Sequence, residues 1–318
     1  MNVVVVGGGS WGSAFAALLA DLGHDVTLAC RDPEQARVIA ETGRNPRYVP
    51  DADLRRVTAA VLAEAPVSEA EFVCLAVPSR AFREVAASLP GSAPVLGLAK
   101  GLDPGSGRRL SEVVDGRPVA VLTGPNHAEE IAKGLPAAAV VASEDQALAS
   151  QLQHALMSPR LRVYVNADLV GVELCAAAKN VMALAAGGVD GFGLGDNAKA
   201  ALITRGLAEM ARLGEACGAR TETFAGLAGM GDLIVTCAHA RGRNRRAGEL
   251  IAHGATPQEA VTEIGETVEG LTTAPALREL SLRLGVELPI TEGVCAVLSG
   301  ESLTGLVSRL MGREPTEE

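Results

Sequence analysis

Two of the four lysines in this chain stand where a primary amine could do chemistry. Lys179 lies inside the apolar, helix-periodic segment 172–186, where burial would lower its pKa towards the acid–base range. Lys100 follows the apolar segment 95–98, at the carboxyl end of a predicted strand, where ligands bind in open α/β sheets. The other 24 of the 28 basic residues are arginines, a bias that a GC-rich genome or a thermophilic host also explains. Lys133 and Lys199 are predicted to be surface or structural residues.

Polar residues in the second half could complete a site around Lys179. Asp232 is predicted to pair with the Lys179 amine, and Thr236 could support that carboxylate. Arg243 and Asn244 carry side chains suited to binding a phosphate group. The neighbouring Arg245 and Arg246 are equally consistent with a solvated basic run.

A further polar segment, 124–128, follows the predicted strand 119–122 and belongs to the same sheet edge as Lys100. It contains a histidine, and we expect the histidines of this chain to be isolated loop or surface residues rather than catalytic ones. This expectation covers His127, His239 and His253.

A glycine-rich loop lies between the first predicted strand, 3–6, and the first predicted helix. It reads Gly-x-Gly-x-x-Gly, in which Gly7 permits a tight turn, Gly9 lets the backbone approach a pyrophosphate, and Gly12 allows close packing of helix on strand. The unpaired N–H groups of the helix would favour the phosphates. The loop therefore predicts dinucleotide binding, with a structural turn or a nucleoside cofactor such as S-adenosylmethionine as alternatives.

The second predicted strand ends in Cys30-Arg31-Asp32, at the position that selects between NAD and NADP. Arg31 would favour the 2′-phosphate of NADP, whereas Asp32 could accept the ribose 2′-hydroxyl of NAD. The residues leave both cofactors open, with a slight preference for NADP.

Short β-branched segments alternate with helix-periodic segments through the first half. Several predicted strands are apolar on both faces, which is typical of a parallel sheet covered by helices. The alternation predicts an α/β fold with an N-terminal Rossmann-type doubly wound domain. The predicted strands are 3–6, 26–29, 72–77, 95–98, 119–122, 138–142 and 161–165, and the predicted helices are 14–22, 33–42, 81–89, 107–114 and 145–157.

After about residue 168 the strands stop and long Ala/Leu-rich helical periods follow. We expect residues 1–166 to form an NAD(P)-binding Rossmann domain and residues 167–318 an all-helical substrate-binding and catalytic domain. The tail at 312–318 is expected to fray. The predicted helices are 172–186, 198–217, 245–252, 273–284 and 293–298, and Pro257, Pro275 and Pro289 fit helix first turns or breaks.

Composition narrows the class of protein. A chain of 318 residues with 48% hydrophobic residues is not disordered, and a net charge of −10 argues against a polyanion-binding surface. One Trp, two Tyr and five Phe are too few for a base-stacking platform. The six cysteines lack zinc spacing, so we expect a reduced protein without a metal. Without a targeting segment or an apolar run of about 20 residues, the chain is expected to be cytoplasmic with no membrane span.

Longer motifs are more specific than the glycine loop. They read Gly-Gly-Gly-Ser-Trp-Gly at 7–12, Ala-Val-Pro-Ser at 76–79, Ala-Lys-Gly-Leu at 99–102, Gly-Val-Glu-Leu at 171–174 and Ala-Lys-Asn-Val at 178–181. The segments 193–206 and 222–233 and the run Gly-Arg-Asn-Arg-Arg at 242–246 follow. In this order, and over nearly the whole chain, they resemble the NAD(P)-dependent glycerol-3-phosphate dehydrogenase family.

The resemblance implies reversible NAD(P)H-dependent reduction of dihydroxyacetone phosphate to sn-glycerol 3-phosphate for glycerophospholipid synthesis, in a homodimer that binds no nucleic acid. Lys179 would be the proton donor or acceptor, assisted by Asp232, Lys100 and Thr236. The implied substrate-binding residues are Lys100, Gly124, Asn126, Lys179, Asn180, Asp232, Gly242, Arg243 and Asn244. The implied cofactor-binding residues are Gly7, Gly9, Ser10, Trp11, Gly12, Arg31, Tyr48, Lys100, Ala128, Arg243 and Glu269.

The chain departs from the family pattern at two places. Asn126-His127 stands where bacterial members usually have Ser-Phe, and Gly242 where they usually have Ser. Eukaryotic-type members are similar to this chain at Asn126 and Gly242. The departures affect the details of phosphate ligation and leave the expected reaction class unchanged.

Two other functions compete with this interpretation. A two-domain β-hydroxyacid or ketopantoate-type reductase can share the fold and a catalytic lysine, but the Gly-Arg-Asn-Arg segment favours a phosphorylated substrate. A non-catalytic NAD(P)-sensing protein would bind the nucleotide without turnover. It would leave the predicted pairing of Lys179 with Asp232 without a purpose.

Overall fold

A computed structural model describes residues 1–302. Its first half is built on one eight-stranded sheet in the order β3-β2-β1-β4-β5-β6-β7-β8. All neighbouring strands are parallel except β6 and β7, which run antiparallel. The strands are β1 (Asn2–Val6), β2 (Asp25–Cys30), β3 (Thr58–Val61), β4 (Phe72–Leu75), β5 (Val95–Gly97), β6 (Val119–Thr123), β7 (Ala137–Ala142) and β8 (Leu161–Asn166).

The strand order reverses between β1 and β4, because the chain first builds outward to β3 and then returns to the other side of β1. In doubly wound sheets this reversal opens a crevice at the carboxyl ends of the strands, where ligands bind. The expected Rossmann-type domain is therefore confirmed, with one antiparallel pair added. Its helices are α1 (Ser10–Asp21), α2 (Pro33–Thr42), α3 (Ser79–Ser88), α4 (Ala128–Ala132) and α5 (Gln146–Leu156).

The predicted helix at 107–114 is wrong. Gly107 adopts a left-handed φ of 67°, and a bridge between Leu102 and Arg109 holds the segment as a loop. Only Ser111–Val113 forms a 3-10 turn, where the buried Glu173 carboxylate accepts the Ser111 N–H at 2.8 Å. A long-range contact therefore overrides the local helical pattern.

Two further strand predictions need correction. The strand predicted at 72–77 ends at Leu75, four residues before α3 begins at Ser79. The edge strand Thr58–Val61 was missed, since its residues are half-buried or exposed and its segment lacks a clear two-residue period.

The second half contains only helices within residues 167–302, as expected. Pro257 and Pro289 begin helices, but Pro275 lies inside one and neither begins nor breaks it. The tail at 312–318 lies outside the described residues. The helices are α6 (Leu169–Gly191), α7 (Gly195–Ala216), α8 (Thr221–Ala225), α9 (Asp232–Ala238), α10 (Arg243–Ala252), α11 (Pro257–Ile264), α12 (Glu269–Leu284) and α13 (Pro289–Leu298), with a π-helical turn at Leu227–Gly231 before α9.

Helix α6 is the axis of the second half. Its 23 residues are apolar and long enough by composition to cross a membrane, but about nine-tenths of its most apolar window is buried inside the protein. Side chains of α7, α9, α10 and α12 surround it. Such burial is that of the core helix of a helical domain.

Glycines let α10 lie unusually close to α6. A methyl group on Gly187 would overlap the carbonyl oxygen of Arg245, and one on Gly248 would overlap that of Leu184. Neither obstacle is a flexible side chain, so the two helices approach through backbone alone. This close approach sets the position of the first turn of α10 relative to Lys179.

We predict that Gly187→Ala destabilises the fold by about 2 kcal/mol or more, because the methyl forces two backbones apart. Thermal or urea unfolding measures the loss. Gly105→Ala is the matched control, since its methyl would meet only a carboxylate oxygen of Asp103 at 3.6 Å. Equal stability of the two variants would contradict the packing argument.

Candidate active site

One buried carboxylate joins the two halves of the molecule. Asp232, at the start of α9, lies between two lysines: its Oδ1 is 2.6 Å from Lys179 Nζ and its Oδ2 is 3.1 Å from Lys100 Nζ. Lys179 comes from the middle of α6, and Lys100 follows β5 at the sheet edge. Asp232 is 1% exposed and Lys179 4% exposed, so the predicted pairing is confirmed as a buried contact.

Neutral donors complete the shell of Asp232. Thr123 Oγ1 donates to Oδ2 at 3.1 Å, and the Gly124 N–H donates to it at 3.3 Å. Thr236, one turn along α9, accepts a hydrogen bond from Lys179 at 3.0 Å and donates to the Asp232 backbone carbonyl at 2.5 Å. The expected support from Thr236 is thus present, whereas the role of Thr123 was not foreseen.

Burial and charge shape the protonation of this cluster. Burial lowers the pKa of Lys179 to about 7, although the attraction of Asp232 opposes that fall. Burial acts to raise the pKa of Asp232, but the Lys100 and Lys179 ammonium groups outweigh it and bring this pKa to about 2. With both amines protonated the cluster carries one net positive charge, and its Lys179 and Asp232 side chains are almost fully buried. A proton can therefore leave or join Lys179 near neutral pH.

The loop after β6 borders the cluster. Lys100 Nζ donates to Asn126 Oδ1 at 3.0 Å and to the Gly124 carbonyl at 3.4 Å. Gly124 has a φ of +125°, and a methyl there would lie 3.0 Å from the Ala138 carbonyl oxygen, so this turn needs glycine. The Asn126 amide nitrogen is buried and has no partner among residues 1–302. It is available to a bound oxygen atom.

A chain of amides ties the phosphate-binding candidates to α6. Asn180 donates to the Lys100 carbonyl at 2.7 Å and accepts from Asn244 at 2.9 Å, and Asn244 in turn accepts the Gly270 N–H at 2.8 Å. Asn244 is therefore braced inside the cleft next to the lysine cluster. Gly242 is the N-cap residue of α10, and the first N–H groups of that helix receive no side-chain cap.

The glycine loop behaves as its spacing predicts. Gly7 has a φ of +119°, and its methyl would lie 2.5 Å from the Ala76 carbonyl oxygen. A methyl on Gly12 would overlap the Gly7 carbonyl oxygen, whereas one on Gly9 would meet nothing within 4 Å. The fold itself thus requires Gly7 and Gly12, while the space above Gly9 is open to a ligand. The buried Trp11 Nε1 also lacks a partner among the described residues, which fits a nucleotide against this loop.

Glu266, a residue not predicted from the sequence, connects the two halves on the nucleotide side. Its Oε2 accepts from Ser10 at 3.1 Å and lies 3.4 Å from Arg243. The half-exposed Arg243 guanidinium thereby faces the glycine loop. Ser10 and Glu266 line a cleft together with Tyr48, Glu129, Arg246 and other residues. No pattern in the sequence singles out this acidic residue, because its two partners come from distant segments.

Glu269 and Ala128 also lie where the two halves meet. Ala128 begins α4, directly after the loop that holds Asn126. Glu269 begins α12, and its carboxylate accepts the Ser79 N–H at 3.2 Å. Burial raises the pKa of Glu269, which favours a hydrogen-bonding contact over a free charge.

The two residues at the end of β2 that could select between NADP and NAD have different surroundings. Asp32 caps α2 by accepting the Glu34 N–H at 3.0 Å, and its other oxygen lies 3.1 Å from Arg47. Arg31 is exposed beside it. The Asp32 carboxylate is thus engaged by the protein, and two guanidinium groups stand at the strand end.

The structure decides one open alternative about an arginine, agrees with the expectation for Lys199, and shows that one expectation about the histidines is wrong. Arg245 is no solvated charge, since its Nε lies 2.6 Å from the Asp190 carboxylate, which also binds Lys199 at 2.7 Å. Lys199 therefore has a structural role linking α6, α7 and α10. His127 and His239 are not isolated, because their ring centroids lie 4.5 Å apart.

No group of three or more His, Cys, Asp or Glu side chains in residues 1–302 could hold a metal ion. The catalytic candidates are instead amines and a carboxylate where the sheet meets the helices, and the dinucleotide-type loop follows β1 of the same sheet. That arrangement defines a two-domain nicotinamide-dependent dehydrogenase, in which the protein supplies binding, orientation and a proton.

Comparison with known proteins identifies the family. The family model described as NAD-dependent glycerol-3-phosphate dehydrogenase N-terminus matches residues 2–149, and the C-terminus model matches residues 168–305. A relative from Moorella thermoacetica named glycerol-3-phosphate dehydrogenase [NAD(P)+] is 46% identical, with 100% of this chain and 97% of that protein covered. The chain belongs to the NAD-dependent glycerol-3-phosphate dehydrogenase family.

Two further similar proteins are consistent with this family. A protein of the same name from Halalkalibacterium halodurans is 41% identical, with 100% of this chain and 95% of its own length covered. The crystal structure of a glycerol-3-phosphate dehydrogenase from Coxiella burnetii has a TM-score of 0.93 at 37% identity, covering 98% of this chain and 99% of its own. A ketopantoate reductase from Ralstonia eutropha, with a TM-score of 0.63 at 17% identity, shares the fold alone.

We predict that two alanine substitutions in the glycine loop affect different properties, one the stability of the fold and the other the affinity for the nucleotide. Gly12→Ala should lower the free energy of unfolding without nucleotide by about 2 kcal/mol, because its methyl overlaps backbone. Gly9→Ala should leave that stability unchanged and weaken NADPH binding at least tenfold, because its methyl fills only the space for the ligand. Thermal unfolding and fluorescence titration measure the two effects. Unchanged NADPH affinity in Gly9→Ala would show that the nucleotide lies elsewhere.

Proposed function

We propose that this chain is an NAD(P)-dependent glycerol-3-phosphate dehydrogenase, which interconverts dihydroxyacetone phosphate and sn-glycerol 3-phosphate. The observation that carries the proposal is the Lys179–Asp232–Lys100 cluster, where the helical half meets the sheet that carries the glycine loop. Membership of the family supports the assignment of this substrate, and the start of α10 at Arg243 and Asn244 is suited to binding a phosphate group. A sensor without turnover would have no use for a lysine held near its titration point.

Substrate binding follows from the charges of the cleft. The phosphate would lie against Arg243 and the first N–H groups of α10, with Asn244 held in place by Asn180. The carbonyl oxygen would then face Lys179 Nζ. Lys100, fixed between Asp232 and Asn126, adds positive potential beside that oxygen.

Proton transfer is the task of Lys179. When bound, the reduced nicotinamide supplies the hydride to the substrate C2. The Lys179 ammonium group hydrogen-bonds the C2 oxygen, stabilises the negative charge that develops there, and donates its proton to complete the alcohol. In the reverse direction the neutral amine accepts the hydroxyl proton. Asp232 stays ionised in both directions and keeps the Lys179 amine aimed at the reacting oxygen.

The nucleotide would be held by the glycine loop and the residues around it. Gly7, Gly9 and Gly12 shape the pyrophosphate turn, with Ser10 and Trp11 on its first helical turn and Tyr48 opposite. Ala128, Glu269 and Arg243 border the same space from the other side of the cleft. We propose that these residues contact the nucleotide directly.

The end of β2 supports a preference for NADP. Asp32 is engaged by the α2 cap and by Arg47, so it is poorly placed to accept a ribose 2′-hydroxyl. Arg31 and Arg47 instead offer two guanidinium groups to a 2′-phosphate. Arg47 was not among the candidates from sequence, because it lies 16 positions beyond Arg31.

We further propose a domain boundary at residues 166 and 167, since β8 ends at Asn166 and α6 begins at Leu169. The family resemblance supports a cytoplasmic homodimer that supplies glycerophospholipid synthesis. Exposed Phe192 and Leu194, just before α7, are the kind of apolar surface that a second copy would cover.

The proposal predicts that NADPH is oxidised only when dihydroxyacetone phosphate is added. Lys179→Met should lower kcat for that reaction at least a thousandfold while NADPH binding is retained, because the proton donor is lost. Absorbance at the reduced nicotinamide band measures both. Lys133→Met is the control and should keep full activity, since Lys133 is half-exposed and pairs only with Asp51 at 3.7 Å. A kcat for Lys179→Met within tenfold of the unmodified enzyme would refute the role of Lys179.

Cofactor preference has its own test. We expect a higher kcat/KM for NADPH than for NADH, and Arg47→Ala should lower the NADPH value about tenfold through loss of a charge-assisted hydrogen bond. The NADH value should change less than threefold. Arg56→Ala, another exposed arginine, is the matched control. A preference for NADH in the unmodified enzyme would contradict the assignment.

A further inference from the structure

Unpartnered buried nitrogens mark the cleft. Among residues 1–302, four buried side-chain nitrogen or oxygen atoms lack a hydrogen-bond partner within the protein: Trp11 Nε1, Asn126 Nδ2, His127 Nε2 and His239 Nε2. Folded proteins pair nearly all such atoms, because leaving one unpaired is costly. Trp11 belongs to the nucleotide loop. The other three come from the β6–α4 loop and the end of α9, which are the two segments that flank the lysine cluster.

The sequence directs His239 towards that cluster. It follows Asp232 by seven residues and Thr236 by three, which is the spacing of one helical face. Its N–H donates to the Val235 carbonyl at 2.9 Å, so His239 caps the end of α9. By this spacing it follows Asp232 and Thr236 along the same side of the helix.

His127 approaches from the opposite side. It directly follows Asn126, whose side chain accepts from Lys100, and it caps the start of α4. The His127 and His239 rings meet with centroids 4.5 Å apart and planes inclined by 46°. The contact therefore bridges the sheet half and the helical half beside the reacting centre.

His127 is neutral rather than cationic. Burial, with the Lys179 and Lys100 charges and the neighbouring His239, lowers the pKa of His127 to about 3, while Asp232 only partly opposes that fall. A neutral imidazole carries one N–H donor and one acceptor nitrogen. Such a group suits a hydrogen bond to a substrate oxygen in a place where the lysines already provide the positive charge.

We propose that His127 and His239 form a further part of the substrate site, an inference that rests on the proposed function. Their Nε2 atoms would hydrogen-bond an oxygen of the bound three-carbon phosphate that takes no part in the reaction. The unpaired nitrogens then gain their partner only in the complex. Both residues are specificity-determining groups that act on substrate affinity rather than on proton transfer.

If the two imidazoles bind the substrate, replacing either one should weaken substrate binding without lowering the stability of the ligand-free protein. His127→Phe and His239→Phe keep a flat ring of similar size but remove the nitrogens. Each should raise the KM for dihydroxyacetone phosphate about tenfold, the effect of losing one hydrogen bond. The KM for NADPH should stay within twofold and kcat within threefold. The melting temperature without ligands should hold or rise by about 2 °C, because a buried unpaired nitrogen is gone.

His253→Phe is the matched control, since His253 is exposed at the end of α10, and it should change neither KM. A substrate KM within twofold of the unmodified enzyme in both ring variants would overturn the proposal. So would a lowered melting temperature with both KM values raised, because that is the result of a purely structural contact. An unmodified enzyme that fails to turn over dihydroxyacetone phosphate would instead refute the proposed function.

A direct observation detects the contact in the unmodified protein. In protein labelled with 15N-histidine, glycerol 3-phosphate should shift the ring-nitrogen resonances of His127 and His239, assigned through the two variants, and leave that of His253 in place. Resonances of the pair that stay unmoved at saturating ligand would overturn the proposal.

Discussion

The candidate active site depends on a single buried carboxylate that lies between two ammonium groups. Asp232 forms ion pairs with Lys179 of α6 and with Lys100 at the sheet edge, so one side chain links the two halves of the molecule. Burying these charges is costly, and removing one partner of such a group is more costly still. The donors Thr123 and Gly124, which end β6 and begin its loop, offset part of that cost.

Close backbone packing is what allows the cluster to form. Glycines at 187, 248 and 270 bring α10 and α12 against α6, and a methyl on Gly270 would lie 2.7 Å from the Asn180 carbonyl oxygen. The amide chain from Asn180 through Asn244 to Gly270 can close only at that separation. The distance between Lys179 and the first turn of α10 is thus set by the absence of side chains at one position in each of α6, α10 and α12.

The parts of the site that follow from local sequence could be predicted. The glycine loop after a buried strand, and a lysine inside an apolar helix, carry their chemistry in a few adjacent residues, and the pairing of Lys179 with Asp232 followed from the cost of burying an unpaired amine. Long-range contacts could not be predicted in this way. Glu266 joins Ser10 to Arg243, and Glu173 holds a loop where helical periodicity indicated a helix. The contact of His127 with His239 likewise depends on how two distant segments meet.

The central claim is that Asp232 keeps Lys179 in the form that donates the proton, and a pH profile of hydride transfer tests it most directly. Single-turnover reduction of dihydroxyacetone phosphate should fall as the pH rises through about 7, the pKa of Lys179, and oxidation of glycerol 3-phosphate should rise over the same interval. Asp232 raises the Lys179 pKa, so Asp232→Asn should move the midpoint for reduction to lower pH. A midpoint that stays in place, or moves to higher pH, would contradict the account.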